Sequence, residues 1–71
     1  MIRQRKKESK LTPREREIML LKEQGMTNKE AAYQLKISMR TVETYMKQVR
    51  MKLDTTSDLQ SIAYCIRRKL I

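Results

Sequence analysis

Seventy-one residues with no histidine, one glycine, one proline and one cysteine leave room for one domain and no recognisable catalytic or metal-binding set, which makes an enzyme a poor expectation. Seventeen Lys and Arg against eight Asp and Glu give a formal charge of +9, which points to a polyanionic partner without deciding between nucleic acid, a membrane surface and an acidic protein. No apolar run approaches the roughly 20 residues that cross a bilayer, no apolar core follows the basic N-terminus as in a signal peptide, and the lone Cys65 cannot close an internal disulfide.

Residues 1–10 carry Arg3, Arg5, Lys6, Lys7 and Lys10 against Glu8, with Ile2 the one apolar side chain after Met1. Without a core-facing stripe they read as a basic, disordered arm, either a solubilising tail or a segment that lies along DNA and neutralises phosphates. Order is expected from Thr12. Thr12-Pro13-Arg14-Glu15 combines an N-cap hydroxyl, a proline at N1 and a glutamate at N3. A first helix should run to about Gln24, with Ile18, Leu21 and Leu20 inward and Arg14, Arg16, Lys22 and Glu23 solvated. Gly25 suits the left-handed residue that ends it.

Thr27-Asn28-Lys29-Glu30 is a second capping box, with Met26 and Ala31 placed as a hydrophobic staple. A short helix with Ala31, Ala32 and Leu35 on its apolar side follows. Ser38 caps a third helix, flanked by Ile37 and Val42 as another staple. In that helix Val42, Met46, Val49 and Leu53 recur at spacings of four, three and four, which predicts one narrow buried stripe. Arg40, Glu43, Thr44, Lys47 and Met51 fall on the remaining surface, flanked by Tyr45, Arg50 and Lys52. A polar, cationic face opposite a core face is what a helix lying in a major groove needs. A solvated face has a similar composition, and here the short capped helix before it and the net charge favour the groove.

Asp54 and Thr55 interrupt the stripe, and Ser57-Asp58-Leu59-Gln60 forms a capping box into a last helix. Leu59, Ile62, Ala63, Ile66 and Leu70 form its expected inner face. Arg67, Arg68 and Lys69 complement the macrodipole at its end. Ser61, Tyr64 and Cys65 lie off that stripe, and an aromatic residue beside small ones on an outer face suits the seam of a two-fold dimer.

The segments Leu11-Thr12-Pro13-Arg14-Glu15-Arg16-Glu17-Ile18, Gly25-Met26-Thr27-Asn28-Lys29-Glu30-Ala31-Ala32 and Ile37-Ser38-Met39-Arg40-Thr41-Val42-Glu43-Thr44-Tyr45, with Lys52-Leu53 and Gln60 to Ala63, stand in this order. Together they make residues 11–71 resemble the LuxR/GerE-type helix-turn-helix DNA-binding domain of bacterial transcription regulators. The resemblance implies an all-α, four-helix domain that binds double-stranded DNA with its third helix in the major groove. It also implies a homodimer on a near-palindromic site, pairing through the last helix. The composition gives no sign of a cofactor, and without an apolar span or signal core the expected location is cytoplasmic and nucleoid-associated. Carried over residue by residue, it implies base-facing Glu43, Thr44 and Lys47, and phosphate contacts by Thr27, Asn28, Lys29, Arg40 and Tyr45. The family more often has isoleucine at the position of Ala31, a basic residue at Glu43, histidine at Tyr45 and glycine at Asp54. Aspartate tolerates the left-handed conformation at modest cost.

Two other functions fit parts of the pattern. The promoter-reading region of a sigma factor has a similar opening and helix-turn-helix, and would be a monomer bound to RNA polymerase. A protein-interaction module that blocks a larger regulator would explain an acid, Glu43, on the reading face.

Overall fold

The computed structural model describes residues 11–71, so the basic arm of residues 1–10 and both readings of it lie outside the described residues. The described residues form four helices and no strand: α1 Pro13–Glu23, α2 Asn28–Leu35, α3 Met39–Leu53 and α4 Asp58–Arg67. The fold is all-α, and none of these helices is long and apolar enough to cross a membrane.

Each helix starts where its cap predicts. Thr12 Oγ1 accepts from Glu15 N at 3.1 Å while Glu15 Oε1 accepts from Thr12 N at 2.9 Å. Thr27 and Glu30 repeat the reciprocal pair at 3.1 and 2.8 Å, and Ser38 Oγ accepts from Thr41 N at 3.0 Å. At α4 the box is shifted. Ser57 Oγ accepts from Gln60 N at 3.1 Å, but Gln60 Oε1 accepts from Thr56 N at 2.8 Å rather than from the cap residue's own amide.

All four helices end in the same way. A residue with positive φ follows each helix, and the next amide bonds back to a carbonyl five residues earlier: Met26 N to Leu21 O, Ile37 N to Ala32 O, Thr55 N to Arg50 O and Leu70 N to Cys65 O. This is the Schellman ending. The left-handed residues are Gly25 (φ 97), Lys36 (φ 59), Asp54 (φ 58) and Lys69 (φ 56). The expectation for Gly25 and the tolerance of Asp54 both hold.

The core is the α3 stripe and what packs on it. Val42, Met46, Val49 and Leu53 are all buried, with Ile18 and Met19 of α1, Ala31 and Ala32 of α2 and Cys65 of α4. Accordingly α3 touches each of the other three helices. On α1 the inward neighbour of Ile18 is Met19, not Leu20, which is 37% exposed.

The larger correction concerns α4. Leu59 is 76% and Ile66 51% exposed, whereas Ser61 and Cys65 are fully buried. The inner face is therefore Ser61 and Cys65, with Ile62, Tyr64, Leu70 and Ile71 partly buried against the core. Small side chains let α4 approach closely. The Ser61 hydroxyl is accommodated because it donates to Ser57 O at 3.0 Å and lies 2.5 Å from Thr55 Oγ1.

Ion pairs lock the helices at their polar edges. Lys52 Nζ lies 2.7 Å from Glu15 Oε1, whose side chain is 3% exposed. Lys22, expected to be solvated, has a side chain 11% exposed and reaches Asp58 Oδ2 at 3.3 Å. Arg50 Nη1 holds the other oxygen of Asp58 at 2.6 Å.

Candidate nucleic-acid interface

With Val42, Met46, Val49 and Leu53 turned inward, helical geometry forces the residues between them outward. Glu43, Thr44 and Lys47 are all exposed, as are Arg40 and Gln48. The three residues expected to face bases thus share the solvent side of α3.

Their local chemistry differs. Thr44 Oγ1 donates to Arg40 O at 3.1 Å, so its proton is spent on its own helix and it presents a methyl group and lone pairs. Among the described residues the ion pairs are Arg14–Glu17, Lys22–Asp58, Arg50–Asp58 and Lys52–Glu15, and none involves Glu43 or Lys47. Both side chains are therefore available for an outside partner. Lys47 offers donors to guanine O6 or N7, and Glu43 offers an acceptor for the cytosine amino group.

Sequence reasoning passed over Gln48. It lines a shallow depression with Arg40, Thr41, Thr44 and Tyr45, and glutamine can bond bidentately to adenine N6 and N7. Its position four residues after Thr44 was the available signal. Tyr45 is half-buried and packs against the core, which fixes the ring at the edge of this face.

The second group sits at the start of α2. Thr27 and Lys29 are exposed and Asn28 is half-buried. The first amides of α2 lack helical acceptors, and together with the dipole they favour an anion such as phosphate. Thr27 Oγ1 accepts from Glu30 N and keeps its own proton to donate. Asn28 Oδ1 accepts from Lys22 Nζ at 2.6 Å, which leaves the Asn28 Nδ2 group as the donor. Lys29 and Arg40 are exposed cations outside the four ion pairs.

The residues expected at a dimer seam do not form one outer patch. Ser61 and Cys65 are completely covered inside the single chain, so neither can meet a second copy. Burial also pushes the Cys65 thiol pKa up, which keeps it protonated and unreactive. Tyr64 is half-buried, with the Arg68 guanidinium 5.2 Å from its ring centroid. The apolar surface that α4 leaves open is instead the pair Leu59 and Ile66, one on each side of the half-buried Ile62 and Ala63.

Comparison with known proteins agrees with the helix-turn-helix reading. The family of bacterial regulatory proteins, luxR family, matches residues 9–65. The chain is 39% identical over 61 residues to the transcriptional regulatory protein LiaR of Bacillus subtilis, covering 86% of this chain and 29% of that protein. It is 39% identical over 59 residues to the response regulator Rre1 of Synechocystis, covering 83% and 26%. With the uncharacterized response regulatory protein YgeK of Escherichia coli it shares 42% identity over 60 residues, covering 84% and 41%. The chain spans less than half the length of these relatives.

Proposed function

The chain belongs to the luxR family of bacterial regulatory proteins, a family of DNA-binding regulators and not of enzymes, and from that premise we propose that it reads double-stranded DNA by laying α3 in the major groove. The observation that carries this reading is the exposure of Glu43, Thr44, Lys47 and Gln48 on the side of α3 opposite its buried stripe. Lys47 donates, Glu43 accepts, Thr44 offers a methyl group and Gln48 does both, so the face holds the complementary groups that distinguish base pairs in a major groove. Thr27, Asn28 and Lys29, with Arg40 and Tyr45, contact phosphates and set the register of α3.

Regulation of transcription follows from sequence-specific binding, with the cytoplasm and nucleoid as its place and RNA polymerase as a further partner. A near-palindromic site calls for a two-fold dimer, and α4 supplies the face for it. Leu59 and Ile66, with Ile62 and Ala63 between them, present an apolar strip that a second copy can cover. This replaces Ser61 and Cys65 as the seam, and Tyr64, packed against the core, lies off the strip.

Selection of bound sequences from a random duplex pool tests the reading. The expected result is one enriched motif whose half-sites are centred about one helical turn apart. Recovery of no motif at moderate salt would remove sequence-specific binding, and a single unrepeated half-site would remove the dimer.

A further inference from the structure

Lys22 belongs to α1 but makes its polar contacts on two other helices. Its ammonium reaches Asn28 Oδ1 at the first position of α2 at 2.6 Å and Asp58 Oδ2 at the first position of α4 at 3.3 Å. The remaining oxygen of Asp58 accepts from Arg50 Nη1 of α3 at 2.6 Å. Four side chains, one from each helix, are therefore linked in a chain that ends at the first residue of α2.

An ammonium group only donates, so the Asn28 amide must turn its oxygen toward Lys22. Both amide heteroatoms sit on one planar carbon, so Nδ2 is then directed away from the ammonium. Lys22 itself is too covered to act as an outside contact, with a side chain 11% exposed. We propose that Lys22 is a positioning residue for DNA binding, holding the Asn28 amide so that Nδ2 donates to a phosphate oxygen at the start of α2. Asp58, itself held by Arg50, fixes Lys22 in that role. The proposal rests on the reading of Asn28 as a phosphate contact.

The salt dependence of DNA affinity separates positioning from direct contact. A lysine that neutralises a phosphate contributes about 0.9 to the slope of log affinity against log salt, whereas Lys22 as a positioning residue contributes none. The experiment measures binding of the full chain and its variants to a random-sequence duplex over a salt series, with circular dichroism melts locating a temperature at which every variant is folded. Lys22→Met is expected to weaken binding roughly three- to tenfold, the scale of one hydrogen bond, with the slope unchanged. Asn28→Ala is expected to do the same, and the double variant to be no weaker than either single one. Lys22→Arg, which keeps donors at that place, should restore most of the affinity. Lys22→Gln, which keeps an amide donor, replaces Lys22→Met if the latter unfolds, with a smaller loss expected.

A slope reduced by about 0.9 in Lys22→Met, or losses that add in the double variant, would overturn the positioning role. So would parental affinity in a folded Lys22→Met when Asn28→Ala binds weakly. Parental affinity in Asn28→Ala itself would remove the phosphate contact at Asn28, and the role of Lys22 with it.

Discussion

Glu15 and Lys52 stand 37 residues apart in the chain, yet Lys52 Nζ lies 2.7 Å from Glu15 Oε1. The same carboxylate oxygen accepts from Thr12 N at 2.9 Å. One buried acid thus caps the start of α1 and ties it to the end of α3. Glu15→Gln keeps an acceptor for the cap and loses the charge, so it should destabilise by about 1 kcal/mol, while Glu15→Ala removes both roles and should cost about 2–3 kcal/mol. The partial exposure of Lys52 keeps these figures below those of a fully buried pair. Urea unfolding of the three proteins checks the order, and equal stability of Glu15→Ala and the parent would contradict it.

Glu43 and Lys47 are exposed and make no ion pair with each other, which favours a carboxylate that meets a base over one that clamps the lysine. Glu43→Gln should raise affinity for random DNA by removing repulsion from phosphates. It should also relax the preference at one base pair by about 1–3 kcal/mol. Binding profiles of parent and variant against every single-base change in the selected half-site decide the matter. A uniform gain with an untouched preference profile would leave Glu43 as a surface charge.

The apolar strip of α4 and the inner face of the same helix can be separated by charge insertion. Leu59→Asp and Ile66→Asp place a carboxylate on exposed positions, so they should abolish the proposed dimer and leave the melt of the monomer nearly unchanged. Cys65→Arg forces a charge into a fully buried site and should unfold the chain. Sedimentation equilibrium with circular dichroism reads both effects. A dimer that survives both aspartate variants would move the seam elsewhere.

Cys65 reports on unfolding. Its thiol is buried and its pKa raised above the ordinary value of 9.0 by desolvation, so labelling by iodoacetamide should require opening of α4. The folded state keeps the thiol proton after the unfolded chain has lost it. Its contribution to stability is therefore complete below the ordinary thiol value and declines as pH rises from there toward the folded value. Labelling at pH 8 with increasing urea should follow the unfolding curve. Rapid labelling in the absence of urea would show that the site is open.

Local signals made the helices legible. Thr12, Thr27, Ser38 and Ser57 each announce a start through a side chain that bonds within its own first turn, and such bonds need no knowledge of the rest of the chain. The α3 stripe was legible for the same reason, being one helix with one apolar side. On α4 there were two candidate sides. Counting apolar residues selected Leu59 and Ile66, while the monomer buries Ser61 and Cys65 because their small volume permits close approach. Lys22 was misread as solvated, and the second role of Glu15 beyond its cap was not visible, because their partners Asp58 and Lys52 lie far along the chain and only the assembled fold brings them together. The exposed face of α3, Gln48 included, followed from its stripe, but the bond from Thr44 to Arg40 O depends on a rotamer that periodicity does not report.

The corner between α2 and α3 is made by Lys36, and the far end of α3 by Asp54, both in a left-handed conformation that costs an L-residue roughly 1–2 kcal/mol. Neither residue adopts that conformation without a steric penalty, as glycine would. The bend holds because Ile37 N returns to Ala32 O at 3.0 Å and Ile37 packs on the core that α1 and α4 complete. A peptide cut to residues 27–53 loses that support, so the angle between α2 and α3 should no longer be fixed. The relative placement of the two proposed contact groups is therefore a property of the whole body. Helices α1 and α4, assigned no base in this reading, act as the frame that keeps the calliper open to one width.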